Sequence, residues 1–305
     1  MHQNQSSRKR NNRSGAPRIQ RWTVSEASAL LDFLQAKLAG QSKTSLKTLF
    51  RNRQVSVNGQ AVCKDVPLQP ADRVEIDYDK RQVDFSHPLL KIVWEDDSLI
   101  VVEKSAGLLS MATDREKNRT AYHLLSEYVK KSNPANRIFI LHRLDRETSG
   151  LMMFAKNQSV QHELQDNWSE MITQRTYVAV VEGCPEKETD LLTSYLAENA
   201  GLKVYVTPVG GQEAIMRYTV LKSNGEYSLL KLELETGRKN QIRAQLESIG
   251  CPVAGDPKYG AATNPARRLM LHASVLGFIH PLTGSEMVFE TPVPASFNGL
   301  VKKRE

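Results

Sequence analysis

Leu30, Leu31, Leu34 and Leu38 recur at three- and four-residue spacing on a polar background. The stripe predicts an amphipathic helix over residues 25–39, opened by Ser25 and Glu26 and stopped by Gly40. A second helix is predicted at about 43–53, with Leu46, Leu49 and Phe50 inward and Lys43, Lys47, Arg51 and Arg53 outward. Val55 and Val57, the pair Asn58-Gly59 and then Val62 predict a hairpin, because Asn-Gly tolerates the positive φ angles of a tight turn. Residues 72–78 alternate as a closing strand. Beyond a polar stretch at 79–89 the rhythm changes to strand segments at 92–94, 99–102, 151–155, 176–182, 202–207, 214–222, 227–235 and 285–290. Helical spacing returns only near 120–131, near 158–171 (Val160, Leu164, Trp168, Met171) and near 239–249 (Ile242, Leu246, Ile249). Many strands without regular alternation with helices predict an α+β fold built on a mostly antiparallel sheet, preceded by a small α/β domain.

These patterns divide the 305 residues into an arm at 1–21, a small domain at 22–78, a linker at 79–89 and a large domain at 90–305. Arg8, Lys9, Arg10, Arg13, Arg18 and Arg21 with no acidic residue put nearly all of the net charge of +7 into the arm. An Asn- and Ser-rich basic segment of this kind is expected to be disordered and able to neutralise phosphates. No apolar run approaches the roughly 20 residues that span a membrane, and the polar N-terminus does not read as a secretory signal. Cys63, Cys184 and Cys251 lack metal-ligand spacing and are expected to be reduced and mostly buried, in a cytoplasmic protein. No phosphate-loop, dinucleotide or His/Cys metal motif is present, so neither a metal nor a cofactor is expected.

The densest chemistry lies at 142–150, His-Arg-Leu-Asp-Arg-Glu-Thr-Ser-Gly. Asp145 stands between Arg143 and Arg146, and a turn then feeds the apolar run Leu151-Met152-Met153-Phe154-Ala155. A charged turn entering a core strand holds one carboxylate at the edge of a cleft; in isolation it also reads as a solvated turn. The string resembles the signature of the RluA family of pseudouridine synthases. Three further blocks carry the likeness: Glu103-Lys104-Ser105-Ala106-Gly107, Arg175-Thr176-Tyr177 through Gly183, and Leu234 to Arg243 with Gly255-Asp256-Pro257-Lys258-Tyr259-Gly260 downstream. Two departures stand out. Ser105 replaces an expected proline, which should loosen that turn, and Asn240 stands where the family often has histidine.

The resemblance implies that Asp145 is the catalytic residue, that Tyr177 packs on the target uracil and that Arg243 pairs with Asp145. It further implies that Arg143 helps hold the flipped base and that Lys104 supports the site. The N-terminal helices and hairpin resemble, more loosely, the αL RNA-binding motif of small ribosomal proteins, which makes Lys43, Lys47, Arg51 and Arg53 the expected phosphate contacts. The implied activity is isomerisation of uridine to pseudouridine in structured RNA, most of all large-subunit ribosomal RNA, by a monomer without membrane or cofactor. Transfer RNA is the second substrate, and a non-catalytic RNA-binding assembly factor is the alternative of another class. A glycoside hydrolase would want paired carboxylates, and Asp145 stands among arginines.

Overall fold

A computed structural model describes residues 19–302 apart from 39, 52, 63, 79–84 and 115. They fall into two compact units that meet in sequence at residues 84 and 85.

In the first unit, β1 (Ile19–Thr23), which is not predicted from the sequence, precedes α1 (Leu30–Lys37), α2 (Lys43–Arg51), β2 (Val55–Val57), β3 (Gln60–Ala61) and β4 (Arg73–Asp77), which follow the expected order. The strands form one antiparallel sheet, β1-β4-β2-β3. Leu30, Leu34, Leu46, Phe50, Val74 and Ile76 fill its core. The Asn58-Gly59 turn takes the expected form, with φ of 51° and 82°.

Three expectations are corrected. The expected arm at 1–21 ends too late, since Ile19–Thr23 pairs with β4 and Arg21 meets Glu75 at 2.6 Å; residues 1–18 lie outside the described residues. The first helix starts at Leu30, not at Ser25. Its first amides are satisfied from a distant segment, Leu30 N donating to Val66 O and Leu31 N to Asp65 Oδ1. The second helix ends at Arg51, and Arg53 lies beyond it in the left-handed region with φ 52°. Lys43 and Lys47 are exposed on α2, while the Arg51 side chain lies outside the described residues.

The second unit contains β5 (Leu90–Glu95), β6 (Leu99–Lys104), α3 (Ala121–Ser132), β7 (Ser149–Ala155), α4 (Gln158–Asp166), α5 (Trp168–Met171) and β8 (Gln174–Glu182). There follow β9 (Thr189–Glu198), β10 (Val204–Thr207), β11 (Gln212–Ser223), β12 (Tyr227–Leu234), α6 (Gln241–Ser248), β13 (Leu271–Ile279), β14 (Glu286–Glu290) and α7 (Ala295–Leu300). The backbone of the unit is a sheet ordered β10-β9-β11-β12-β8-β13-β7-β6-β5, with β14 paired to β13 and Phe139–Ile140 to β7. All named pairings are antiparallel except β7 with β13. The fold is therefore the expected α+β class with a mostly antiparallel sheet. No helix among the described residues is long and apolar enough to cross a membrane.

β7 explains why the run after Asp145 is so apolar. Met152 and Phe154 face the cluster that holds Leu125 and Val129 of α3, and Leu151 and Met153 face Val160 and Leu164 of α4. With both faces covered, all seven residues of the strand are buried. The predicted helix at 158–171 is two helices, because Asn167 turns its side-chain amide onto Glu163 O and ends the first. The strands β9 and β13 are not predicted from the sequence. In β13 the polar His272 and Ser274 interrupt the apolar pattern, yet both are buried and bonded, to Ser149 and to Thr176 O. Cys251 is buried as expected, but Cys184 is exposed and Cys63 lies outside the described residues.

Gly150, the last residue of the Thr-Ser-Gly turn, sits where β7 meets β13. Its φ is 117°, and a Cβ there would lie 2.1 Å from Ala273 O. Gly150→Ala combines backbone strain of about 1–3 kcal/mol with a clash against a fixed carbonyl. The expected loss is at least about 3 kcal/mol in urea unfolding. An unchanged midpoint would contradict this packing.

Candidate active site

The loop 142–148 leaves Phe139–Ile140, exposes Asp145 and enters β7. Its backbone is clasped on both sides of Asp145. On one side Ser110 Oγ accepts from Leu144 N at 3.0 Å and donates to Leu144 O at 2.6 Å. On the other, Gly107 N donates to Arg146 O at 2.9 Å and Lys104 Nζ to the same oxygen at 3.1 Å. Lys104 also donates to Ser105 O and Leu108 O, so its three N–H groups are all engaged. It is fully buried and outside the cleft wall. Burial, outweighing the attraction of Glu147, brings its pKa down to about 8. Lys104 thus fastens the Asp145 loop from behind and does not face the cleft. Ser105 does not loosen its turn either, because its N–H donates to Leu89 O at 2.9 Å, a bond proline lacks.

Asp145, Arg143, Tyr177 and Arg243 line one cleft of about 980 Å³, together with Trp168, Arg175 and Arg238. Tyr177 projects from β8, and burial pushes its phenol up to about 12, so it is a neutral donor and an aromatic surface. Arg143 is exposed at the cleft. Arg243, on α6, reaches Asp145 Oδ2 with Nη1 at 3.0 Å. Arg243 thus pairs with Asp145 through one bond and makes its bidentate pair with Asp256: Nε meets Oδ2 at 2.6 Å and Nη2 meets Oδ1 at 2.8 Å. The guanidinium stacks on the Tyr259 ring, 4.6 Å from its centroid. Burial works against its charge, but the bonds and charge of Asp256, with Asp145 behind, raise its pKa.

Asp256 is a site residue that the sequence alone does not single out. It stands in the block Gly255-Asp256-Pro257, but only the fold brings it 13 positions back to Arg243. Asn240, the second departure from the family pattern, has a use: it adopts φ 51° at the start of α6 and accepts from Arg243 Nη1 at 3.3 Å. Asparagine enters the left-handed region more readily than most residues. The opposite wall is equally fixed. Arg175 Nη2 donates to Glu235 O at 2.9 Å and passes so near Gly237 that a Cβ would lie 2.5 Å from its Nη1. Gln241 accepts from Arg238 N and Thr236 Oγ1. Among the described residues no group of three or more His, Cys, Asp and Glu is placed to hold a metal ion.

The cleft can therefore take a planar group against Tyr177, bring it to the carboxylate that Arg243 holds, and surround both with guanidinium groups. Comparison with known proteins agrees with this chemistry. Residues 98–248 match the model of the RNA pseudouridylate synthase family. A Mycoplasma pneumoniae protein named as an uncharacterized RNA pseudouridine synthase is 34% identical over 295 residues, covering 92% of this chain and 93% of the relative. A Neisseria meningitidis protein named ribosomal large subunit pseudouridine synthase D is 33% identical over 291 residues, covering 88% and 76%. The solved human RNA pseudouridylate synthase domain containing 4 shares the fold, with a TM-score of 0.56 at 23% identity over 68% of this chain and 90% of that one.

Two desolvated histidines, His142 in the loop and the buried His272 on β13, set a pH dependence. His142 accepts from Met153 N through Nε2, and His272 bonds Ser149 Oγ through Nδ1. Burial, aided by Arg175 at the first and Arg268 at the second, pushes both from 6.5 down to about 4. Between these values the unfolded chain binds more protons, so folding stability falls as pH drops from about 6.5 toward 4. The urea midpoint should be lower at pH 5 than at pH 7, with a smaller difference in a His142→Gln variant. An equal or higher midpoint at pH 5 would contradict the burial of neutral imidazoles.

Proposed function

The chain belongs to the RNA pseudouridylate synthase family, and on that premise we propose that it isomerises particular uridines of large-subunit ribosomal RNA, with Asp145 as the catalytic residue. One observation carries the assignment of Asp145. It is the carboxylate of the cleft wall that pairs with the half-buried Arg243, and Tyr177 lines the same cleft.

The reaction breaks N1–C1′, turns the uracil and joins C5 to C1′; the proton lost from C5 balances the one gained at N1. Cleavage builds positive charge on the sugar, which a carboxylate stabilises or captures. The target base leaves its stack at a cost of a few kcal/mol, offset by stacking and hydrogen bonds inside the protein. Tyr177 offers the stacking surface, and Arg143, Arg175 and Arg238 offer phosphate and base contacts along the cleft. The ribosomal substrate is supported by the name of the Neisseria relative and by the first unit, whose Lys43 and Lys47 stand exposed four residues apart on α2.

Purified Asp145→Asn protein should give no pseudouridine in a ribosomal RNA transcript, while RNA affinity stays within a few-fold of wild type. Substantial turnover by this variant would remove Asp145 from the reaction; turnover of transfer RNA alone by the wild type would replace the substrate.

Lys43→Ala with Lys47→Ala tests the first unit. If each lysine neutralises a phosphate, each substitution should reduce the slope of log affinity against log salt by roughly 0.7–0.9. An unchanged slope would mean that this helix face does not meet the RNA backbone.

A further inference from the structure

Asp256 is 2% exposed and no part of the cleft wall, so it cannot touch RNA. Nevertheless it takes the stronger share of the arginine that faces Asp145. Two nitrogens of Arg243 go to Asp256 at 2.6 and 2.8 Å, and one goes to Asp145 at 3.0 Å. We infer that Asp256 is a positioning residue for the isomerisation, acting through Arg243 to keep the Asp145 carboxylate half free.

A guanidinium opposite a lone carboxylate closes a two-bond fork on it. With Nε and one N–H of Nη2 taken by Asp256, the side-on fork of Arg243 is closed to Asp145, which it meets through Nη1 on Oδ2 alone. Oδ1 of Asp145 accepts none of the hydrogen bonds found among the described residues, which leaves it for the sugar or the base.

The surroundings hold Asp256 to this task. Gly255 has φ 80°, and a Cβ there would lie 2.2 Å from Arg268 O, so the turn before it has one shape. Tyr259, fully buried, stacks beneath the guanidinium and accepts from Val204 N at 3.3 Å. Arg243 can thus neither slide off Asp256 nor rotate its plane.

The inference rests on Asp145 being the catalytic residue, and its test separates the two claims. Single-turnover rates and saturation kinetics on one RNA are measured for wild type, Asp145→Asn, Asp256→Asn, Asp256→Glu, Arg243→Lys and the double variant Asp256→Asn with Arg243→Lys, each checked for folding by thermal melting. The kcat of Asp256→Asn should fall at least tenfold with KM within about threefold, and Asp256→Glu, which keeps the charge but displaces it, should lie between it and wild type. In the Arg243→Lys background the same Asn change should cost less than threefold, because two residues acting through one contact are not additive. Wild-type kcat in a folded Asp256→Asn variant, or a full multiplicative loss in the double variant, would overturn the inference. If the Asn variant does not fold, Asp256→Glu decides: a several-fold loss in kcat alone supports the role, and a wild-type kcat overturns it. Turnover by Asp145→Asn would overturn the underlying assignment instead.

Discussion

Arg243 is shared between two carboxylates of opposite exposure, and the site depends on that division. Asp256 is sealed in the protein, whereas Asp145 is 31% exposed at the cleft. A largely desolvated guanidinium needs a partner, and the Asp256 fork pairs it without drawing on the cleft. Asp145 can then be oriented by a cation without being consumed by it. The Tyr259 ring below and Asn240 beside the guanidinium leave it one plane.

Everything else in the second unit keeps Asp145 in register with that arginine. Asp145 comes from the loop before β7 and Arg243 from α6, 98 residues later in the chain. Between them lie β8, β12 and β13, so the sheet itself is the ruler that sets their separation. Lys104 and Ser110 fasten the loop at Arg146 and Leu144, and Gly150 lets β7 approach β13 without a side chain between them. None of these three touches the cleft, and each would be felt there if changed.

Much of this was legible in the chain. The nine-residue string around Asp145, the Tyr177 strand and Arg243 reach one cleft, as the resemblance implied, and the predicted α+β class holds. The illegible parts share a cause. Local pattern records what a residue buries, and it does not record which distant group satisfies its polar atoms. Asp256 reads as a turn residue until the fold supplies Arg243. Lys104 reads as a supporting residue of unstated means until three carbonyls enclose it. His272 hides β13 because its partner Ser149 lies 123 residues away. The late start of α1 has the same origin in Asp65 and Val66.

The central claim joins a residue to a reaction on a class of RNA, and it is tested most directly in cells. Pseudouridines are mapped in total RNA from a strain lacking this gene and from the same strain carrying either the wild-type gene or the Asp145→Asn form. The account predicts that one or more large-subunit ribosomal positions lose pseudouridine on deletion, regain it with the wild type and stay unmodified with Asp145→Asn. A map that does not change on deletion, or one restored by Asp145→Asn, would contradict it.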